Sequence, residues 1–100
     1  MIKLDPRLNA YREDLADAAL EGRVAARRFV EPRMMQVIDS VVGVHKQPRF
    51  DAMQVTQALL GEMVKVFGEE EGWAWVQLAR DGYVGYVNGN ALSSSLYVPS

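Results

Sequence analysis

Leu59 to Leu92 reads LLGEMVKVFGEEEGWAWVQLARDGYVGYVNGNAL, and the interpretation of this stretch decides the fold. Met63 to Phe67 alternates, with Val64 and Val66 on one face and Met63, Lys65 and Phe67 on the other. Trp73 to Leu78 alternates too, setting Ala74, Val76 and Leu78 opposite Trp73, Trp75 and Gln77. A period of two is the mark of a strand with two unlike faces. Turn residues punctuate these runs. Gly61-Glu62 predicts a tight turn, Glu69, Glu70, Glu71 and Gly72 an acidic one, and Arg80-Asp81-Gly82 a hairpin, because Asp-Gly fits the primed turns that match strand twist. Tyr83 to Val87 is the returning strand, and Asn88-Gly89-Asn90 predicts one 3-10 turn before Leu92.

Working outward, Val55 to Leu60 has strand character, and the preceding KQPRFDAMQ (46–54) reads as a long loop. Met34 to Ile38 and Val41 to His45 are two further short strands, with Asp39-Ser40 and Gly43 as turn or bulge. Val24, Ala26, Phe29 and Val30 suggest a strand over Arg23 to Val30 that Pro32 ends. Asp14 to Glu21 predicts a two-turn helix: Asp14 caps, three alanines favour helix, and Gly22 stops it. Met1 to Glu13 is an extended arm in which Leu4, Leu8 and Tyr11 anchor against the rest. Leu96 to Val98 is a last short strand. Many short strands in little chain predict a mainly β fold, a small closed or half-closed barrel over 34–100, with the short N-terminal helix and the arm in 1–33.

One hundred residues support one modest core and leave little chain for a large catalytic cleft. The formal net charge of −2 offers no general attraction to nucleic acid or an anionic membrane, and no signal-peptide core or apolar run of spanning length is visible. The basic cluster Arg23, Arg27, Arg28 and Arg33 is interleaved with Glu21 and Glu31 and reads as a solvated edge. No cysteine and a single histidine, His45, leave neither a Cys-His pair for nucleophilic catalysis nor a set of soft metal ligands, so no catalytic residue, metal or cofactor is expected.

The order Leu60-Gly61-Glu62, acidic turn, Gly72-Trp73, then Gly85-Tyr86-Val87-Asn88-Gly89-Asn90-Ala91-Leu92 resembles the second half of an SH3 domain, with Trp73 at the SH3 tryptophan and Val87 and Leu92 at core positions. Polyproline-binding SH3 domains carry a proline and a tyrosine where Asn88 and Ala91 stand, so a PxxP ligand is not expected. The chain is more similar to bacterial SH3 domains. Through Asp5-Pro6-Arg7-Leu8, Asp14-Leu15-Ala16, Gly22-Arg23-Val24 and the run Asp81 to Val87, it is similar to the N-terminal region of NlpC/p60-type cell-wall peptidases. That resemblance implies an SH3-like barrel that helps to bind murein stem peptide beside a C-terminal papain-like domain, whose catalytic residues map onto nothing here.

The residues expected to carry recognition are Trp73, Trp75, Tyr83 and Tyr86 as an aromatic face, with Asp81 and Glu71 beside it as partners for a peptide amine. The same aromatic face also fits packing under the N-terminal arm or docking on a peptidase domain whose cleft it would gate. Glu62 is expected to hold its neighbouring loop by hydrogen bonds, and His45 to be a loop-edge histidine.

Overall fold

The computed structural model describes residues 4–94. Its strands are β1 (Leu15–Asp17), β2 (Arg28–Val30), β3 (Arg33–Val37), β4 (Val41–His45), β5 (Gln54–Leu59), β6 (Met63–Glu70), β7 (Trp73–Leu78), β8 (Val84–Asn88) and β9 (Leu92–Ser93), with 3-10 turns at Ala18–Leu20 and Gly89–Ala91. The expected strand over Leu96 to Val98 lies outside the described residues.

Seven strands form one sheet in the order β5-β4-β8-β7-β6-β3-β9, and β1 pairs with β2 in a separate parallel ribbon. The alternation in β6 and β7 is met in three dimensions. Val64, Val66, Ala74, Val76 and Leu78 share one core with Val87, Leu92, Met35, Val37, Val42, Val44 and Ala58. Each fully buried aliphatic side chain of this kind contributes about 1.5–3 kcal/mol, so the concave face of the sheet is the main source of stability. Close approach matters at Gly85, where a Cβ would stand 2.6 Å from Val44 Cγ1 and 2.9 Å from the His45 carbonyl oxygen. Only a residue without a side chain lets β8 cross β4 at this distance.

Over the described residues the sheet does not close into a barrel, which corrects the closed-barrel expectation. β5 and β9 are its two ends. β9 is two residues long, and the outer edge of β5 is capped by side chains instead of a strand. The Leu59 N–H donates to Glu62 Oε2 (2.6 Å), and Arg80 donates to the Gln57 carbonyl (3.1 Å) and to Glu62 Oε2 (3.0 Å). Glu62 thus holds its loop as expected, and also seals an edge.

The predicted helix over Asp14 to Glu21 is absent. Leu15–Asp17 is a strand in register with Arg28–Val30, and the alanines form a single 3-10 turn capped by Asp17, whose Oδ1 accepts from the Ala19 N–H at 3.0 Å. Two turns of helix are marginal alone, and burial of Leu15 and Ala16 outweighs alanine's helix propensity. The expected strand over Arg23 to Val30 contracts to its last three residues.

Two turns exchange their expected characters. Glu69 and Glu70 belong to β6, and the loop narrows to Glu71-Gly72, both at positive φ (53° and 83°), closed by the Glu70–Trp73 pair. That is the primed two-residue hairpin expected at Asp81-Gly82. At the latter, Gly82 alone has positive φ (79°), and its N–H reaches back to the Leu78 carbonyl at 2.9 Å, making a wider turn.

Candidate functional site

The convex face of β6 and β7 carries a second small core, and it decides the fates of the two tryptophans. The register of β6 against β7 slips between Val66 and Gly68, leaving Phe67 as an extra residue that turns outward. Phe67, Trp75, Leu15 and Ala10 pack together, with Val30, Val84 and Tyr86 against them. Trp75 is 4% exposed, and its ring meets Phe67 at 5.5 Å between centroids. Over it lies Arg12, with the guanidinium carbon 4.3 Å from the ring centroid. Arg12 is further fixed by donating to Tyr86 Oη at 3.0 Å and to both oxygens of Asp14 at 2.9 Å. Burial works against its charge, but these hydrogen bonds hold its pKa above the ordinary value; the same Arg12 contact holds the Asp14 carboxyl below the usual range.

From Leu4 onward the arm is tied down at several points. Tyr11 Oη donates to the Leu4 carbonyl, the Val84 N–H donates to the Arg7 carbonyl (2.8 Å), and Gln77 donates to the Leu8 carbonyl (3.0 Å). Of the expected anchors, Tyr11 and Leu4 are half-buried and Leu8 is exposed; the buried anchor is Ala10.

Trp73 has a different environment. It begins β7 beside the β4–β5 loop, where Phe50 lies 4.8 Å away at 58° and His45 meets it edge-on at 5.6 Å. His45 is held by the Ala52 carbonyl, 3.1 Å from Nδ1. Between this loop, the arm and the β6–β7 turn lies a groove of about 760 Å³. Trp73, Tyr86 and Trp75 contribute its aromatic surface, Pro48 comes from the β4–β5 loop, Arg12, Asp14, Leu15 and Arg28 from the arm and the β1–β2 ribbon that continues it, Gly68, Glu69 and Glu70 from the end of β6, and Glu71 from the turn.

Four of the six expected recognition residues, Trp73, Trp75, Tyr86 and Glu71, therefore line one groove. Trp75 does so without being an open stacking surface, because the arm covers it. Asp81 and Tyr83 are elsewhere, in the β7–β8 hairpin, where Asp81 accepts from the Tyr83 N–H (3.1 Å) and from Arg80 (3.3 Å). Their visible work is to shape that hairpin. The residues that sequence reasoning missed are those of the arm. Arg28 belongs to the cluster read as solvated, and its place in the groove depends on the Leu15–Arg28 register, which no local pattern announces. Arg33 of that cluster bridges Glu69 at 2.6 Å.

Residues 44–92 match the family model described as bacterial dipeptidyl-peptidase SH3 domain, which supports a bacterial SH3 domain in this chain. The matched residues include the Pro48, Glu69–Glu71, Trp73, Trp75 and Tyr86 parts of the groove and leave out its arm. No curated protein matches the chain.

Proposed function

We propose that this bacterial SH3 domain is a non-catalytic module that binds or positions murein stem peptide for an NlpC/p60-type cysteine peptidase domain carried outside these residues, at the cell envelope. The observation that carries this reading is the groove beside Trp73, whose lining combines exposed aromatic surface with charged groups of both signs. A peptide uses that combination: its apolar parts stack on the indole, and its amine and carboxylates find charge-assisted partners. The ligand-contacting residues are Trp73, Tyr86 and Glu71, with the edge of Trp75. Asp81 and Tyr83 act indirectly, through the hairpin beside the arm. The chain has no cysteine, so a thiolate nucleophile has to come from another polypeptide segment. The family match, to a domain named for its association with a peptidase, supports the accessory role.

Titration of the isotopically labelled chain with murein stem peptide tests this. The Trp73 indole and Glu71 amide signals are expected to move, and the Gly82 amide to stay. No movement up to millimolar peptide would refute the proposal.

A second reading is favoured by Phe50 and Met53, which are 73% and 69% exposed on the loop beside Trp73. In this reading the loop docks on the peptidase domain and gates its cleft. It requires Met53→Ser, on the same loop and outside the ring contacts of Trp73, to weaken association with that domain while stem-peptide titration stays unchanged. Unaltered association would exclude it.

A further inference from the structure

The groove's charges divide into those already satisfied and those left over. Arg12 is engaged with Asp14, and Glu69 with Arg33. Arg28, Glu70 and Glu71 line the same groove without an ion-pair partner among the described residues. Arg28 is held by β2, whose register places it against the buried Leu15, and the two carboxylates stand at the end of β6 and in its turn. Opposite charges that face one cavity without meeting each other are complementary to a ligand that carries both signs.

We infer that Arg28 is the carboxylate-recognising residue of this groove and that Glu70 and Glu71 receive an ammonium group, so the ligand is a zwitterionic peptide lying with its carboxylate toward the arm. The inference rests on the groove being a peptide site and adds to it a polarity. Arginine suits the role because its planar fork matches a carboxylate in a way lysine does not. Trp73, lying in the same groove, supplies a neutral surface for the apolar part of the peptide. The family match begins at residue 44, so Arg28 lies outside it, and recognition by Arg28 is a contribution of the arm.

The test uses the full chain and three probes: a murein tripeptide with free amine and carboxylates, its N-acetylated form and its carboxyl-amidated form, each titrated while following the Trp73 indole signal. Amidation and acetylation are each expected to weaken binding by about threefold to tenfold, the range for exposed charge-assisted contacts. In Arg28→Gln, an exposed surface substitution, the unmodified and amidated peptides are expected to bind alike, while acetylation still weakens binding. Retained discrimination against the amidated peptide in Arg28→Gln overturns the assignment of Arg28. Equal binding of all three probes to the unaltered chain overturns the polarity and leaves the peptide site standing. If the unmodified tripeptide leaves Trp73 unmoved, the peptide site falls and the polarity with it.

Discussion

Glu71 is the one described non-glycine residue at positive φ, at 53°, and it lines the candidate groove. An L-residue in this region brings its Cβ against the following carbonyl at a cost of about 1–2 kcal/mol, and asparagine bears the conformation much better than glutamate. Asparagine followed by glycine is also the favoured pair for a primed two-residue hairpin, which is the turn that Glu71-Gly72 forms. Glu71→Asn is therefore expected to stabilise the fold by about 0.5–1 kcal/mol, gaining turn geometry without the extra unfolded-state freedom of glycine. For a domain of this size that is a rise in Tm of about 2–8 °C. Thermal unfolding followed by circular dichroism measures it. Glu71→Gln is the control, since it removes the same charge and keeps the same backbone difficulty, and its Tm should match the unaltered chain. If both substitutions weaken stem-peptide binding and only Asn raises Tm, the glutamate is present for its charge at a conformational cost, the trade expected of a functional position. An unchanged or lowered Tm for Glu71→Asn would refute the argument from φ.

Three other outcomes follow from the packing and electrostatics. Trp75→Ala removes a ring at the centre of the second core and is expected to cost about 3–5 kcal/mol in urea denaturation, whereas Trp73→Ala, half-exposed, should cost about 1–2 kcal/mol and mainly reduce peptide binding. Glu62→Ala and Arg80→Ala each uncap the β5 edge and should each cost about 1 kcal/mol, with the double substitution costing less than the sum because the two share one hydrogen-bonded cluster. Arg12 depresses the Asp14 pKa in the folded state, so this contact contributes stability that is fully present above the unfolded pKa near about 4 and is lost as pH falls through the lower folded value. Because Asp14 is largely solvated, the effect is a few tenths of a kcal/mol, read as an acid limb of Tm between about pH 5 and pH 2 that Arg12→Gln flattens.

The strands β3 to β8 were legible in the sequence because alternation and turn residues mark them, whereas the order β5-β4-β8-β7-β6-β3-β9 in which they pair was not. Val64, Val66, Ala74 and Val76 fall in one core as a single face of the alternation, and Val87 and Leu92 join them at the core positions that the SH3 resemblance implied. The SH3-like order of turns and tryptophan was legible for the same reason, and the family match agrees with it at the level of a bacterial SH3 domain. The convex face was not. Alternation places Trp73 and Trp75 on one side but does not say which of them a distant segment covers, and the bulge at Phe67 and the parallel pairing of Leu15 with Arg28 are both non-local choices. The alanines at 16, 18 and 19 show the same limit. Their propensity favours a helix, while their position along a ribbon laid over Trp75 requires an extended chain and one tight turn.

The arm covers one tryptophan and, by the same contacts, builds one wall of the groove beside the other. Arg12 stacks on Trp75, holds Tyr86 and holds Asp14, so the element that completes the second core also positions the charged lining. If the groove is the peptide site proposed above, stability and recognition are coupled through residues that lie before the family match. A chain beginning at residue 34 leaves Trp75 without Leu15, Ala10 and Arg12. An aromatic side chain of this kind buries about 200 Å², worth about 5 kcal/mol when fully covered. Set against a total of about 5–15 kcal/mol for one hundred residues, losing even half of that leaves a marginal fold. The truncated chain is expected to show red-shifted tryptophan emission, a lower urea midpoint and no discrimination between free and amidated peptide carboxylates. Blue-shifted emission with peptide binding and discrimination unchanged would mean that the sheet alone forms the site, and that the arm is only its cover.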